Sequence, residues 1–395
     1  MSSEKAPSFP QPIFPILAAA PREAASGMRL RAIHPVPRGA PKPPNRYLRE
    51  RWPTGIMKGK VLVTGGAGLV GWECCRLFAG RGWKVTSVDN FMRGRIFGKD
   101  GDTTPNVKAL TDIGVVNHEI DIRDDRVVPL LKDADAVIHA AAQPSHPRSI
   151  EIPVEDFQVN AWGTLFLLEA LRQHNPDAVF VYCSTNKVYG EVPNYFAYEK
   201  VGKRFEPVDP ALRDGFDESL RIDRNMHTPF GVSKTCADLY TQEYARLYGL
   251  KTGVFRMGCI TGGAAKAVEM HNWEPFFVKK ALTGEKLTVY GYGGYQVRDV
   301  IHARDLADLF LRFVEKPRPG EVYNVGGGRP NSISLLEAFE LIEEVTRRRI
   351  RYELGQQREA DHIWWISNIG KARSHYPGWD VKLGLKQIFV EIYET

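Results

Sequence analysis

The residues best placed to do chemistry begin with three glycines and an acid. The run Thr64-Gly65-Gly66-Ala67-Gly68-Leu69-Val70-Gly71 sets glycines at 65, 68 and 71. At this spacing Gly65 permits a tight turn, Gly68 lets the main chain approach a pyrophosphate, and Gly71 lets a helix pack closely on a sheet. Leu69 and Val70 open the helix whose free N–H groups and positive dipole end would face phosphates. Further along, Asp89, followed by Asn90, ends a second apolar run. A carboxylate there can accept hydrogen bonds from both ribose hydroxyls of NAD and repels the additional phosphate of NADP. Arg93 and Arg95 follow closely and are placed to host that phosphate instead, so the spacing favours NAD without closing the alternative. Asp121 and Ile122 suit the clasping of adenine, although an acid at a strand end also serves as a loop cap.

These groups need a scaffold that brings them together. Residues 60–64 read as a short strand, 69–81 as a helix and 84–88 as a second strand, which is a βαβ unit. Further strands are expected at 115–120, 136–139, 179–183 and 252–256, with helices at 156–174 and 230–248 between them. That alternation predicts an α/β fold built on a Rossmann-type, doubly wound parallel sheet. After residue 256 it gives way to loops and helices at 273–283, 304–314 and 335–348, expected to form a smaller lobe over the carboxyl ends of the strands. The expected division is therefore a cofactor domain over 57–255, with part of 299–325 returning to it, and a substrate-binding lobe mainly over 256–395.

Composition bounds the remainder. With 395 residues, 43% hydrophobic and 25% charged, the chain is neither fibrous nor broadly disordered. No apolar run is long enough for a membrane span. The formal charge of +6 arises in residues 1–56, where nine Lys/Arg face three Glu. The rest is neutral and lacks the basic surplus of a nucleic-acid footprint. Cys74, Cys75, Cys183, Cys236 and Cys259 show no metal-binding spacing and read as reduced thiols of a cytoplasmic protein. No metal site is expected. Residues 1–56 also hold eleven of the 26 prolines, a composition of disordered chain. The segment is either a targeting peptide or an over-long gene start, the latter favoured. Its removal is expected to leave folding and cofactor binding unchanged.

Beyond the glycine run, the strings DIRD (121–124), HAAAQPS (139–145), VNAWGTLFLLEA (159–170), STNKVYG (184–190), GVSK (231–234) and GYQVRDVIHARDL (294–306) resemble the extended short-chain dehydrogenase/reductase family. This is the group of NAD-dependent nucleotide-sugar epimerases and dehydratases. STNKVYG, the long insert before GVSK, and the last string are most similar to the CDP-paratose (CDP-tyvelose) 2-epimerase branch. The resemblance implies NAD lying along Ala140, Ala141 and Gln143, and a nucleotide-diphosphate sugar, CDP-linked by preference, near Gln143 and Asn186. It implies that Thr185 hydrogen-bonds the reacting alcohol. It gives Lys234 the holding of the nicotinamide ribose, and Asn160 the support of that lysine. Arg298 and Arg358 would neutralise the diphosphate. Each has a plainer alternative: a turn cap for Thr185, a cross-link for Asn160, surface ion pairs for the arginines. The helices at 156–174 and 230–248 resemble the pair that forms a dimer interface in this family, so a homodimer or higher homo-oligomer is implied.

One position departs from the family. Its catalytic tyrosine precedes the lysine by four residues, and that place is occupied by Phe230, which has no acidic proton. His227 is a candidate replacement, as are Tyr195, Tyr198 and Lys234 itself. The implied reaction is transient oxidation to a keto sugar with hydride returned to the opposite face. A dehydratase, another isomerase with the same hydride step, and a non-catalytic binder of NAD or a nucleotide sugar remain as alternatives.

Overall fold

The computed structural model describes residues 58–269 and 271–395. Expectations for residues 1–56 lie outside that range. Seven parallel strands form the main sheet: β1 (Lys60–Thr64), β2 (Lys84–Asp89), β3 (Val116–Glu119), β4 (Ala136–His139), β5 (Val179–Thr185), β6 (Lys251–Met257) and β7 (Glu321–Val325). Their order is β7-β6-β5-β4-β1-β2-β3, with every pairing parallel. The topology reverses at β1, and the connections that leave β1 and β4 run to opposite faces of the sheet, which leaves a crevice outside their carboxyl ends.

Both faces are buried, as a parallel sheet requires. Along β1 the side chains alternate. Val61 and Val63 join the core under helix α1 (Leu69–Gly80), whereas Leu62 joins the opposite core with Leu167, Leu168 and Leu171 of helix α2 (Gly163–His174) and Ala237 of helix α3 (Thr228–Tyr248). Helix α3 has Pro229 in its first turn and ends at Gly249, whose φ of 73° lets Leu250 N reach back to Tyr244 O. Helix α4 (Ala303–Glu315) packs Leu306, Leu309, Phe310 and Phe313 into the first of these cores, and β7 extends the sheet beside β6. The chain thus returns to the sheet after residue 299.

One expected helix differs. In place of a single helix over 156–174 there are a short helix Pro153–Phe157, a π-turn Gln158–Trp162 and then α2. The turn widens at Asn160, where the side chain bonds residues on two other segments. Such bulges recur where a helix must present a polar group.

The second lobe has its own core, in which helices Trp273–Thr283, Leu335–Thr346 and Leu385–Glu394 enclose Phe277, Val289, Phe339, Ile342 and Phe389. The insert 186–227 packs with this lobe. Phe216 lies 5.5 Å from the rings of both Trp364 and Trp365, and donates its N–H to Ile366 O at 2.8 Å. No helix among the described residues is long and apolar enough to cross a membrane.

Candidate active site

A cavity of about 370 Å³ occupies the crevice at the carboxyl ends of β1, β2, β4, β5 and β6. It runs from the glycine turn to Phe230 and the loops of the second lobe. Of the residues singled out in the sequence, Gly65, Gly68, Leu69, Val70, Gly71, Asp89, Asn90, Arg93, Asp121, Ile122, Ala140, Ala141, Thr185, Asn186, Phe230 and Lys234 line it.

At one end the backbone does most of the shaping. Gly65 has φ +69°, and a Cβ there would sit 2.7 Å from Ala141 N. A Cβ on Gly71 would lie 2.2 Å from Gly65 O, so no larger residue lets α1 approach the turn. The first turn of α1 carries neither a side-chain cap nor an acid, which leaves its N–H groups to an anionic ligand. Asp89 accepts hydrogen bonds from Ala67 N at 3.0 Å and Phe91 N at 2.8 Å. Burial raises its pKa, and those backbone donors oppose the rise. Asn90 donates to Asp121 Oδ2 at 2.7 Å, and Asp121 is gripped by Arg123, whose hydrogen bonds pull its pKa down to about 2. Arg93 reaches His271 Nδ1 at 2.9 Å and Lys266 O at 3.3 Å. It is therefore committed to the loop over the crevice. A glycine cradle, unshielded helix N–H groups and an acid at the end of β2 fit NAD.

The other end is made of side chains from distant segments. Lys234 is 4% exposed. Its ammonium donates to Cys183 O at 2.6 Å, and Nζ lies 4.4 Å from the centre of the Tyr182 ring. Burial lowers its pKa to about 8, against the opposing pull of nearby Cys183, Asp156 and Asp238. Thr185 Oγ1 accepts from Lys187 N at 3.2 Å at the end of β5. Phe230 is 8% exposed, and its N–H donates to Ser149 Oγ at 3.0 Å.

Behind this wall lies a polar network that lines no part of the cavity. Asn160 accepts from Gln143 N at 2.9 Å and donates to Asp156 and to Ser233 Oγ, next to Lys234. Gln143 spends its amide on Ser145 O and Asp156 and is fully buried. Asn160 and Gln143 therefore stand behind the crevice, tied to α3 through Ser233.

His227 lies outside the cavity wall. Its Nε2 lies 2.9 Å from Val188 O and its Nδ1 3.1 Å from Asn225 O, so both nitrogens are turned to backbone carbonyls outside the cavity wall. Tyr195 is exposed, and Tyr198 donates its hydroxyl to Pro193 O beside the Trp364 ring. Arg298 and Arg358 also stand outside the wall: Arg298 pairs with Asp361 at 2.6 Å, and Arg358 lies 3.9 Å from the centre of the Tyr290 ring.

The structure adds lining residues that sequence reasoning passed over. Lys187 donates to Ala360 O at 2.9 Å and stands 3.6 Å from Asp361, with its pKa lowered to about 8 by burial. Glu274 is buried, which pushes its carboxyl up to about 8. His146 lies edge-on to Phe230. Signals for two of these were present, since Lys187 sits inside STNKVYG and His146 directly follows HAAAQPS.

Comparison with known proteins agrees with this geometry. Residues 61–326 match the NAD dependent epimerase/dehydratase family. CDP-paratose 2-epimerase of Salmonella typhi is 35% identical over 349 residues, covering 85% of this chain and 98% of that enzyme. UDP-glucose 4-epimerase of Thermus thermophilus, solved with NAD, superposes with a TM-score of 0.68 at 26% identity, over 85% of this chain and 98% of that one. A UDP-glucuronic acid 4-epimerase variant from Bacillus cereus shares the fold with a TM-score of 0.72 at 23% identity, over the same shares of the two chains. With its glycine cradle, its parallel sheet and two thirds of its length matched, the chain belongs to the NAD dependent epimerase/dehydratase family.

Proposed function

We propose that the protein is an NAD-dependent nucleotide-sugar epimerase that inverts carbon 2 of a CDP-linked sugar. The observation that carries this reading is the identity to CDP-paratose 2-epimerase, which spans 98% of that enzyme. Gly65, Gly68 and Asp89 would hold NAD, which would supply a hydride acceptor and donor for the sugar. The chain's own residues do the rest. Lys234 holds a positive charge at the end of β5 and favours departure of a hydroxyl proton nearby. Thr185 Oγ1 is part-buried, accepts from Lys187 N and donates only a long 3.4 Å bond to Asn186 Oδ1, which it can exchange for the reacting alcohol. Ala140, Ala141, Phe230 and Met257 make an apolar wall that excludes water. Arg298 meets the diphosphate by exchanging its Asp361 partner for phosphate oxygens.

The test is a screen of CDP-, UDP-, GDP- and dTDP-sugars with product identified by NMR and mass spectrometry. A carbon-2 epimer of a CDP-sugar is expected. Loss of water from the sugar would make the protein a dehydratase, and saturable binding with no redox signal would make it a binding protein.

The same reading includes a homodimer. Phe157, Trp162, Leu239, Tyr240 and Leu247 are exposed on the two long helical segments, more apolar surface than a monomer usually displays in one region. Light scattering on the purified protein should give twice the chain mass. A cytoplasmic location is supported by five free thiols.

A further inference from the structure

The site has lost its phenol at position 230, yet a proton must leave the sugar hydroxyl for a carbonyl to form. We propose that His146 supplies this proton transfer in place of the missing tyrosine, an inference that rests on the nucleotide-sugar reading above.

Four observations place it there. His146 and Phe230 line the same cavity, with ring centroids 6.4 Å apart and planes at 89°. The two positions are tied together: Phe230 N donates to Ser149 Oγ at 3.0 Å, and Ser149 Oγ donates to His146 O at 2.8 Å. The short helix His146–Glu151 is thereby clipped to the first turn of α3, where the family's tyrosine would stand. Third, Nε2 of His146 is buried without a hydrogen-bond partner and is shielded from the cavity as well, so that it meets the sugar only when the ring turns about its Cβ–Cγ bond. A buried polar atom left unpaired costs about 1–3 kcal/mol unless something else meets it. Finally, the ring is held neutral, with its pKa pushed down to about 3, by burial first and then by Lys187. A neutral imidazole keeps one nitrogen lone pair for a proton, but an affinity this low makes a weak base, so the strength the step needs has to come with the bound substrate. Asp361 and Arg358 also act on the ring, the acid raising and the arginine lowering its proton affinity. A diphosphate bound among these cations would raise that affinity as the sugar arrives.

The step balances. The sugar O–H breaks and its proton goes to the imidazole nitrogen, while the carbon-bound hydrogen leaves as hydride to NAD, the oxidant, and C=O forms. Both return when the opposite face is reduced. No phenol is required.

The experiment compares the unmutated protein, His146→Asn, Phe230→Tyr and the double variant, measuring turnover of the nucleotide sugar, bound NAD and melting temperature. His146→Asn should lose about 10²–10⁴ of turnover while keeping its NAD and its melting temperature. In that background Phe230→Tyr should restore activity at least tenfold, because it returns a proton-transfer group to the same corner of the cavity. A merely structural histidine would not be rescued in this way. Should His146→Asn be insoluble, His146→Gln takes its place. The nitrogen-15 spectrum of the unmutated protein gives an independent reading, in which one buried neutral ring should shift on addition of the sugar.

Wild-type turnover by His146→Asn, a folded NAD-loaded double variant that stays dead, or no histidine shift would overturn the proposal. So would an inactive natural protein that gains activity with Phe230→Tyr. Silence of all four proteins toward every nucleotide sugar is a different result: it overturns the functional reading and this inference together.

Discussion

The two ends of the crevice are built by different means. At the glycine end, the turn, the helix N-terminus and the acid that shape the pocket lie within one βαβ unit, joined by Asp121 and Ala141 from neighbouring strand ends, and their geometry is largely backbone geometry. At the sugar end, Lys234, Thr185, Phe230, His146 and Lys187 come from three separate segments and meet only through α3, β5 and the helix His146–Glu151. The first construction tolerates almost no side chain, as the Cβ positions at Gly65 and Gly71 show. The second has phenylalanine where the family has tyrosine, and places beside it an imidazole whose Nε2 has no hydrogen-bond partner. A cofactor common to many enzymes needs one cradle, whereas proton transfer needs only a suitable group within reach, so the sugar end is the freer to vary.

Substitutions at the two ends should divide accordingly. The largest effect is expected for Lys234→Ala, which removes the buried ammonium from the sugar end. Turnover should fall by about 10³ or more, in the upper range for a lost proton-transfer assistant, and a steady-state assay showing less than a tenfold loss would remove Lys234 from the mechanism. At the cofactor end, Asp89→Ala should weaken NAD roughly ten- to hundredfold, the worth of hydrogen bonds to a charged group. Calorimetry on cofactor-free protein tests this, and tighter NADP than NAD binding by the unmutated chain would contradict the role given to Asp89. Gly71→Ala should cost about 1–3 kcal/mol of stability through overpacking and lower NAD occupancy, while leaving the arrangement around Lys234 in place. Thermal melts with and without NAD separate the two effects.

The pH dependence sharpens the comparison. Lys234 and Lys187 are both held at about 8, below the ordinary lysine value, by burial. Turnover should decline as pH rises through 8, because the ammonium at the sugar end is then lost. Between about pH 8 and 10.5 the unfolded chain keeps these two protons and the native chain does not. Their contribution to stability therefore rises with pH over that window. Falling activity without falling melting temperature would show that the site, not the fold, titrates. The same profile in Lys187→Met assigns the limb to Lys234. The smallest effect is expected for His227→Ala, with less than a tenfold change in turnover and about 1 kcal/mol of lost stability from its carbonyl bond.

The two ends were also unequally legible. The turn, α1 and the acid at the end of β2 could be read from contiguous residues, because each requirement there is local: positive φ, close approach, an exposed helix end. The strands β4, β5 and β6 followed from their apolar runs. The π-turn at Asn160 did not, since nothing local distinguishes it from regular helix, and it forms around bonds to Gln143 and Ser233. His227 looked promising because it lies close to Phe230 in sequence, but the chain turns its ring to Val188 O.

The sequence by itself determined the family, the parallel sheet, the NAD cradle and the absence of a phenol at position 230. These depend on residue type and short-range spacing. Only the tertiary structure decided what faces Phe230, that Gln143 and Asn160 stand behind the wall, and that Arg298 is held by Asp361. Those are matters of which side chains a fold buries together, and burial joins residues whose separation along the chain carries no signal of their meeting.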